Sequence, residues 1–285
     1  MVFNRRLFFP WGLCIYFLCF CVAGTVFGAG KAKKGEAAKF VPGEEVRVEA
    51  DDERIGNDHF MVYVPSDYTE ERDWPVIFCY HGQSGQPTTW PMRQAVRGKG
   101  FIVIGMGYVP TKKKMTRGQY MNLLKREKRS VLEVKKYVGE HLRVDEKRLF
   151  VTGFSKGGWH SANMVEASPK GWAGAVIFAA GRRGIVQPAS KKAFRGKPIY
   201  IGAGENDVNM KAAKRAAAYY RRLGAKVTFE EFEGAGHGFD PSGSETLYKW
   251  LVSNSATDAA ENDPSDKEVE RKSKAGNRQT KNNEP

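Results

Sequence analysis

Apolar positions along the chain change their spacing in a regular way between residues 45 and 253. In segments 45–50 and 59–65 polar and apolar residues alternate, which predicts a hairpin of half-exposed strands. Further runs are continuously apolar, as in strands that are covered on both faces of a parallel sheet. These runs comprise residues 75–80, 101–107, 148–152, 173–180 and 198–203. Residues 226–232 alternate once more.

Segments with helical spacing of apolar residues lie between these predicted strands. They cover residues 118–142, 155–168, 210–223 and 246–253. Pro169 and Gly224 end the second and third of them. This alternation predicts an α/β domain with a mostly parallel central sheet and helices on both faces. Ligands of such sheets bind beyond the carboxyl ends of the strands.

The first residues differ in composition from this middle part. Residues 1–28 combine Arg5 and Arg6 with a long apolar stretch and small residues before Gly28, which is typical of a secretory signal peptide. The alternative is an uncleaved membrane anchor, because about 20 apolar residues can span a bilayer. We therefore expect a secreted or periplasmic protein, with membrane anchoring as the alternative.

The remaining chain divides into three parts. Residues 29–43 are polar and rich in lysine, which predicts a linker. Residues 254–285 hold almost no large apolar side chain, which predicts a disordered charged tail. Residues 44–253 form the predicted folded domain.

The chain is strongly basic, with a formal net charge of +14, and loss of Arg5 and Arg6 with the leader leaves +12. Such a charge attracts nucleic acids or other anionic polymers, or simply keeps a surface solvated. Export and the lack of a nucleic-acid-binding motif argue against nucleic acid as a partner. Outside the predicted leader only Cys79 remains, and its apolar surroundings predict a core residue.

Residues 153–157 read GFSKG and follow a predicted strand at the start of a predicted helix. In this position G-x-S-x-G forms a sharp turn that exposes a nucleophilic serine, because the glycines let the backbone pass close to its neighbours. The helix N-terminus favours negative charge beside Ser155. The alternative is that Ser155 is only the N-cap of the helix.

A serine nucleophile needs a base and a carboxylate that orients the base. His237 lies in the glycine-rich loop GAGHGF after the last predicted strand, at the sheet edge that also carries Ser155. Asp207 follows the strand at 198–203 and is the candidate acid, with Glu205 as the alternative. Asp207 also fits a plain helix N-cap.

The other histidines and several tryptophans are predicted to be structural. His59 and His141 lie in polar contexts and are expected at the surface, whereas His160 is expected to pack on the helix of Ser155. Core packing is also expected for three tryptophans, with stacking on a substrate ring as the alternative: Trp90, Trp159 and Trp172.

Residues 81–85 read HGQSG and follow the predicted strand at 75–80. A loop at this place can aim a backbone N–H at a developing oxyanion, and the residue after the nucleophile supplies a second N–H. The candidate oxyanion donors are therefore the N–H groups of Gln83 and Lys156. An ordinary turn is the alternative for the HGQSG segment.

Together these segments resemble those of an α/β-hydrolase, over residues 44–252. The segments HGQSGQPTTW, GFSKGG, GENDVN and GAGHGF are most similar to serine esterases related to polyhydroxybutyrate depolymerases, feruloyl and acetylxylan esterases, dienelactone hydrolases and phospholipase/carboxylesterases. The order Ser155, Asp207, His237 is that of α/β-hydrolases. Phe154 and Lys156 depart from the residues that many members carry beside the nucleophile.

The resemblance implies a carboxylic-ester hydrolase on an α/β-hydrolase fold that needs no metal and no cofactor. In the implied reaction Ser155 attacks the ester carbonyl, His237 transfers the proton and Asp207 orients His237, and water then releases the acyl group. Two rival interpretations remain: a peptidase related to prolyl oligopeptidase, or a non-catalytic surface- or carbohydrate-binding protein. The lack of a propeller domain argues against the first, and the complete triad argues against the second.

The substrate site is expected to be open. Only residues 181–197 separate two predicted strands at the point where many relatives insert a helical cap, and this segment is too short for one. An open site suits short-acyl esters or acyl and feruloyl groups on a polysaccharide. Residues 112–117 and the pair Arg182-Arg183 are basic stretches at the same edge, and they either attract an anionic substrate or remain simply solvated.

Overall fold

The computed structural model describes residues 30–31, 38–50, 55, 58–111, 114–188 and 190–256. The predicted signal peptide, most of the predicted linker and nearly all of the predicted tail lie outside these residues. The described strands are β1 (Gly30–Lys31), β2 (Glu45–Glu49), β3 (His59–Tyr63), β4 (Trp74–Tyr80), β5 (Ile102–Met106), β6 (Val144–Phe154), β7 (Gly174–Phe178), β8 (Pro198–Gly204) and β9 (Lys226–Phe232). The described α-helices are α1 (Met92–Ala95), α2 (Arg117–Gly139), α3 (Lys156–Ala167), α4 (Met210–Arg222) and α5 (Glu245–Ser255).

All described strands belong to one sheet, in the order β1-β2-β3-β5-β4-β6-β7-β8-β9. The pairs β2–β3 and β3–β5 are antiparallel, and β5, β4, β6, β7, β8 and β9 run parallel to one another. The predicted hairpin and the predicted parallel strands are therefore confirmed. Because β4 and β6 lie at the centre, their carboxyl ends meet in the middle of one edge of the sheet.

The central strands are covered on both faces, which explains their continuous apolar sequences. Every residue of β4, β5 and β7 is buried. Along β4, Phe78 packs into a core beneath α2, α3 and α4, whereas Ile77 and Cys79 pack into a second core beneath α1 and α5. Cys79 is thus the expected core residue, and burial raises the pKa of its thiol to about 12.

The element boundaries differ from the predicted ones in a few places. Strand β6 begins at Val144, because Val144 pairs with Trp74 across an irregular register. Helix α2 begins after Thr116, which forms a capping box with Gln119. Helix α1 was not predicted, since four residues are too few for a periodic pattern.

In the described residues, the regular secondary structure between β7 and β8 is one 3-10 turn, Lys192–Phe194. The architecture is therefore the predicted α/β-hydrolase fold, and the described residues add no large cap domain to it. Among the helices of the described ranges, none is long and apolar enough to cross a membrane.

Candidate active site

Ser155 lies in a strained turn between β6 and α3. Its backbone angles are φ 53° and ψ −110°, in the positive-φ region that residues other than glycine rarely adopt. Its N–H donates to the carbonyl of Phe178 at 3.0 Å, and its carbonyl accepts the first helical hydrogen bond, from Trp159. The chain thus changes from strand to helix within one residue, and strain of this kind is found at functional sites.

Glycines allow this turn to lie against the sheet. A Cβ atom on Gly153 would overlap the backbone of Gly157, and a Cβ atom on Gly157 would overlap the carbonyl of Tyr80 at the end of β4. A Cβ atom on Gly158 would overlap the carbonyl of Phe178. The glycines of the motif therefore serve close backbone packing, as the sequence predicts.

The hydroxyl of Ser155 faces a histidine and not the helix. Ser155 occupies the N-cap position of α3, yet its side chain caps no N–H group of the described chain. Its Oγ lies 2.9 Å from Nε2 of His237, and Nδ1 of the same ring lies 2.9 Å from Oδ1 of Asp207. Because a carboxylate only accepts hydrogen bonds, Nδ1 carries the ring proton, and Nε2 accepts a hydrogen bond from the hydroxyl of Ser155.

Asp207 lies in the turn between β8 and α4 and makes two contacts at once. Its Oδ1 accepts a hydrogen bond from the N–H of Asn209 at 2.7 Å, besides the bond from His237, and the side chain is completely buried. Glu205, the alternative acid, instead accepts a hydrogen bond from the N–H of Gly234 at 2.8 Å. Of the two candidate acids, the structure brings Asp207 into hydrogen-bond contact with His237.

The loop that carries His237 packs on the turn of the acid. The N–H of Asn206 donates to the carbonyl of Ala235 at 2.8 Å, and a Cβ atom on Gly204 would overlap the same carbonyl. The ring of Phe154 lies 5.9 Å from the imidazole. The side chain of His237 is nevertheless 39% exposed, so that substrate and water can reach it.

Gln83 lies in the exposed loop after β4, beside the turn of Ser155. The loop approaches that turn at Gly82, where a Cβ atom would lie 3.7 Å from the carbonyl of Phe154. Nδ1 of His81 donates to the carbonyl of Gly82 at 2.7 Å. The N–H of Lys156 belongs to the first turn of α3, whose N–H groups have no acceptor within the helix. The oxyanion role of both N–H groups stays a prediction.

The side chain of Lys156 lies over an aromatic ring that the sequence did not single out. Its Nζ is 3.8 Å from the ring centroid of Tyr108, which is within cation–π range. Burial lowers the pKa of the ammonium group, an effect that the carboxyl of Glu127 opposes. The hydroxyl of Tyr108 donates to the carbonyl of His81 at 2.5 Å.

Glu127 is a second residue that sequence reasoning missed. Oε1 of this buried residue accepts a hydrogen bond from Val109 at 2.9 Å, and its Oε2 lies 3.8 Å from Nε2 of His160. Burial raises the pKa of Glu127 to about 8 and lowers that of His160 to about 3. A signal was present in the sequence, because Glu127 falls between Leu124 and Val131 on the apolar stripe of α2.

Two expectations about side-chain exposure were wrong. His59 is only 4% exposed, because β3 lies between two other strands and both of its faces are largely covered. Trp90 is 40% exposed and does not pack in the core. The buried position of His160, the exposed position of His141 and the burial of Trp172 are confirmed.

The adjacent residues Arg182 and Arg183 have different surroundings. Nε of Arg182 donates to the buried carboxylate of Glu166 at 2.8 Å, so an internal ion pair holds this guanidinium, and a role of Arg182 in substrate binding stays a prediction. Arg183 is exposed, with its guanidinium 5.6 Å from the ring of Trp159. Of the other basic stretch, residues 112–113 lie outside the described residues.

A cleft of about 340 Å³ opens between the loop after β5 and the loop after β7, on the edge of the sheet that carries Ser155. Arg117, Tyr120 and Ile185 are among its lining residues. Within the described ranges, no three His, Cys, Asp or Glu side chains are grouped as ligands of a metal ion would be.

The parallel sheet and the Ser–His–Asp arrangement at its carboxyl edge define an α/β-hydrolase. The chain belongs to the dienelactone hydrolase family, whose model matches residues 53–270. It is thus a hydrolase of the carboxylesterase type. No protein of curated function matches the chain.

Solved structures share the fold at low sequence identity. An S-formylglutathione hydrolase from Staphylococcus aureus is 17% identical with a TM-score of 0.54, over 74% of this chain and 96% of that chain. A CE1 ferulic acid esterase from Anaeromyces mucronatus is 17% identical with a TM-score of 0.53, over 78% and 92%. Esterase 2 from Thermogutta terrifontis is 21% identical with a TM-score of 0.52, over 76% and 91%.

Proposed function

We propose that the protein is an exported serine esterase that cleaves carboxylic esters through an acyl-enzyme. The observation that carries the proposal is the continuous chain of hydrogen bonds from Ser155 through His237 to Asp207, each 2.9 Å long. Both distances lie within the range that proton transfer between a nucleophile and its base requires. The exposed imidazole and the strained serine turn support the same assignment.

The reaction has two halves. Ser155 attacks the ester carbonyl while His237 takes the hydroxyl proton, and the resulting imidazolium is stabilised by Asp207. The N–H groups of Gln83 and Lys156 bind the oxyanion of the tetrahedral intermediate. His237 then gives its proton to the departing alcohol, and a water molecule attacks the acyl-enzyme in the same way to release the acid and restore Ser155.

The proposed substrates are short-acyl esters, or acyl and feruloyl esters on a polysaccharide. Support comes from the segment between β7 and β8, whose described residues add no helical layer over the site. The neighbouring structure from Anaeromyces mucronatus is a ferulic acid esterase with ferulic acid bound.

The central test compares Ser155→Ala with Ser244→Ala. Both serines are N-cap residues, but Ser244 caps α5 through a hydrogen bond from Leu247, whereas Ser155 makes no such bond to the described chain. We expect Ser155→Ala to lower kcat on p-nitrophenyl acetate about 10⁴-fold or more without loss of stability. Ser244→Ala is expected to keep kcat and to lose about 1 kcal/mol of stability.

The same assay discriminates the alternatives. Rates on p-nitrophenyl acetate, butyrate and decanoate should decrease with acyl length, and a maximum on decanoate would contradict the open short-acyl site. Equal rates for wild type and Ser155→Ala would exclude the proposed nucleophile. Cleavage of prolyl p-nitroanilides without ester hydrolysis would identify a peptidase, and failure of a fluorophosphonate to label Ser155 would favour the binding protein.

Export is proposed from the sequence of residues 1–28. Expression of the full chain in a secreting host should yield a mature protein that begins at Ala29, as N-terminal mass spectrometry would reveal. An intact leader in a membrane fraction would support the anchored alternative.

A further inference from the structure

Tyr108 contacts both segments that carry the proposed oxyanion donors. Its hydroxyl donates to the carbonyl of His81 at 2.5 Å, and its ring meets the imidazole of His81 edge-on at 4.8 Å. The face of the same ring lies 3.8 Å from Nζ of Lys156. One side chain therefore connects the loop of Gln83 with the first residue of α3.

Two hydrogen bonds to the Gly82 carbonyl orient the first proposed donor. The carbonyl of Gly82 accepts hydrogen bonds from Nδ1 of His81 at 2.7 Å and from the N–H of Gly85 at 3.3 Å. In a planar trans peptide the C=O and N–H bonds point in opposite directions. The N–H of Gln83, which belongs to the same peptide as this carbonyl, therefore points away from the His81 ring. Loss of the Nδ1 bond would remove one of the two hydrogen bonds that orient this peptide.

Tyr108 is itself firmly held. The next residue, Val109, donates its N–H to the buried carboxyl of Glu127 at 2.9 Å. The Tyr108 ring also packs against Tyr80 at 5.5 Å and against His160 at 5.4 Å. Displacement of Tyr108 would disturb a buried hydrogen bond and two ring contacts. Tyr108 is therefore a rigid support for the loop that carries Gln83.

We propose that Tyr108 is a positioning residue that fixes the relative orientation of the two oxyanion donors. The proposal rests on the proposed function, because it concerns the tetrahedral intermediate formed by Ser155. Oxyanion stabilisation depends on donors that are already aimed at the developing charge. Loss of alignment of a donor should therefore affect the transition state more than the bound ester.

The test uses two tyrosines with the same kind of hydrogen bond. Tyr108→Phe removes the donor to the His81 carbonyl and keeps the ring beneath Lys156. Tyr63→Phe removes a hydroxyl that donates to the carbonyl of Gly98 at 3.0 Å, in a buried place that contacts neither oxyanion segment. Tyr108→Phe should lower kcat about tenfold with KM within twofold. Tyr63→Phe should lower the melting temperature and keep kcat.

Binding of a boronic acid supplies a readout that a merely structural role would not change. A boronate on Ser155 imitates the tetrahedral intermediate, whereas the carboxylic acid product imitates the ground state. Tyr108→Phe should weaken boronate binding about tenfold and leave product binding unchanged. Unchanged kcat and boronate affinity would overturn the proposal, and so would equal losses of kcat in Tyr108→Phe and Tyr63→Phe.

The outcomes separate this proposal from the proposed function. If Ser155→Ala remains active, the esterase mechanism itself is wrong. If Ser155→Ala is inactive and Tyr108→Phe equals wild type, only the positioning role is wrong. Should Tyr108→Phe fail to fold, His81→Ala removes the Nδ1 donor to Gly82 and must show the same selective loss of kcat and boronate affinity. Wild-type values for His81→Ala would likewise overturn the proposal.

Discussion

Two histidine–carboxylate pairs lie near the same edge of the sheet, and only one of them has the geometry of a catalytic pair. Asp207 and His237 are joined by a hydrogen bond of 2.9 Å, and the outer nitrogen of His237 faces Ser155. Glu127 and His160 approach each other only to 3.8 Å, and both are buried. In both pairs an acid therefore lies close to a histidine, but only Asp207 and His237 are aligned for a hydrogen bond.

Glu127 and His160 are buried without a hydrogen bond between them, and this burial shifts the pKa of each group. The pKa of Glu127 rises to about 8 and that of His160 falls to about 3, because burial disfavours the charged form of each. Both groups are therefore neutral at pH 7. The pair holds the N–H of Val109 and packs against Tyr108, and an imidazole with a pKa of about 3 is too weak a base to activate a nucleophile at neutral pH.

The largest expected effect separates the two candidate acids. Asp207→Asn should lower kcat by about 10³–10⁴-fold, because an amide cannot hold His237 in the tautomer that accepts the serine proton. Glu205→Gln, two residues away in the same turn, should stay within threefold of wild type. Steady-state kinetics on p-nitrophenyl acetate provide the measurement. Comparable losses in both variants would contradict the assignment of the acid.

A second experiment concerns the neutral state of Glu127. The folded protein keeps this proton up to about pH 8, whereas the unfolded chain releases it near 4.5, so stability falls as the pH rises between these values. From pH 5 to 8 the loss amounts to about 4 kcal/mol, at about 1.4 kcal/mol per pH unit. Glu127→Gln should lack this loss in urea unfolding. Parallel pH profiles of stability for wild type and Glu127→Gln would contradict a protonated Glu127 in the folded protein.

The smallest expected effect comes from His160. The folded protein keeps the ring neutral down to about pH 3, whereas the unfolded chain gains a proton below about 6.5. Stability therefore falls as the pH drops from 6.5 to 5, by about 2 kcal/mol. His160→Gln should remove this part of the acid sensitivity, which denaturant titrations at pH 5 and 6.5 would reveal. A variant as acid-sensitive as wild type would show that His160 is charged in the fold.

The sequence was sufficient for features that depend on local pattern and on topology. Continuous apolar runs predicted the parallel strands, and the rule that ligands bind at carboxyl ends placed Ser155, Asp207 and His237 at one edge. The structure brings these three side chains into hydrogen-bond contact. Short motifs with glycine carried this information, because they restrict the backbone wherever they occur.

Features that depend on distant neighbours were not predictable in the same way. The burial of His59 follows from the strands on both sides of β3, and the inward position of Arg182 follows from Glu166 on another element. Tyr108 gains its importance from contacts with segments far away in the chain. The identity of a single polar residue does not reveal such distant partners. Glu127 is an exception in one respect, because its position on the apolar stripe of α2 indicated that it is buried.

The glycines around Ser155 have a consequence for how this site can change during evolution or design. A methyl group at Gly153 or Gly157 would push against the backbone of the next element, so these positions tolerate almost no variation. The side chain of residue 155 points towards a partly exposed imidazole and is free of such overlap. The side chain of residue 155 is thus the exchangeable part of the turn, and a thiol could replace the hydroxyl while the backbone around it stays the same.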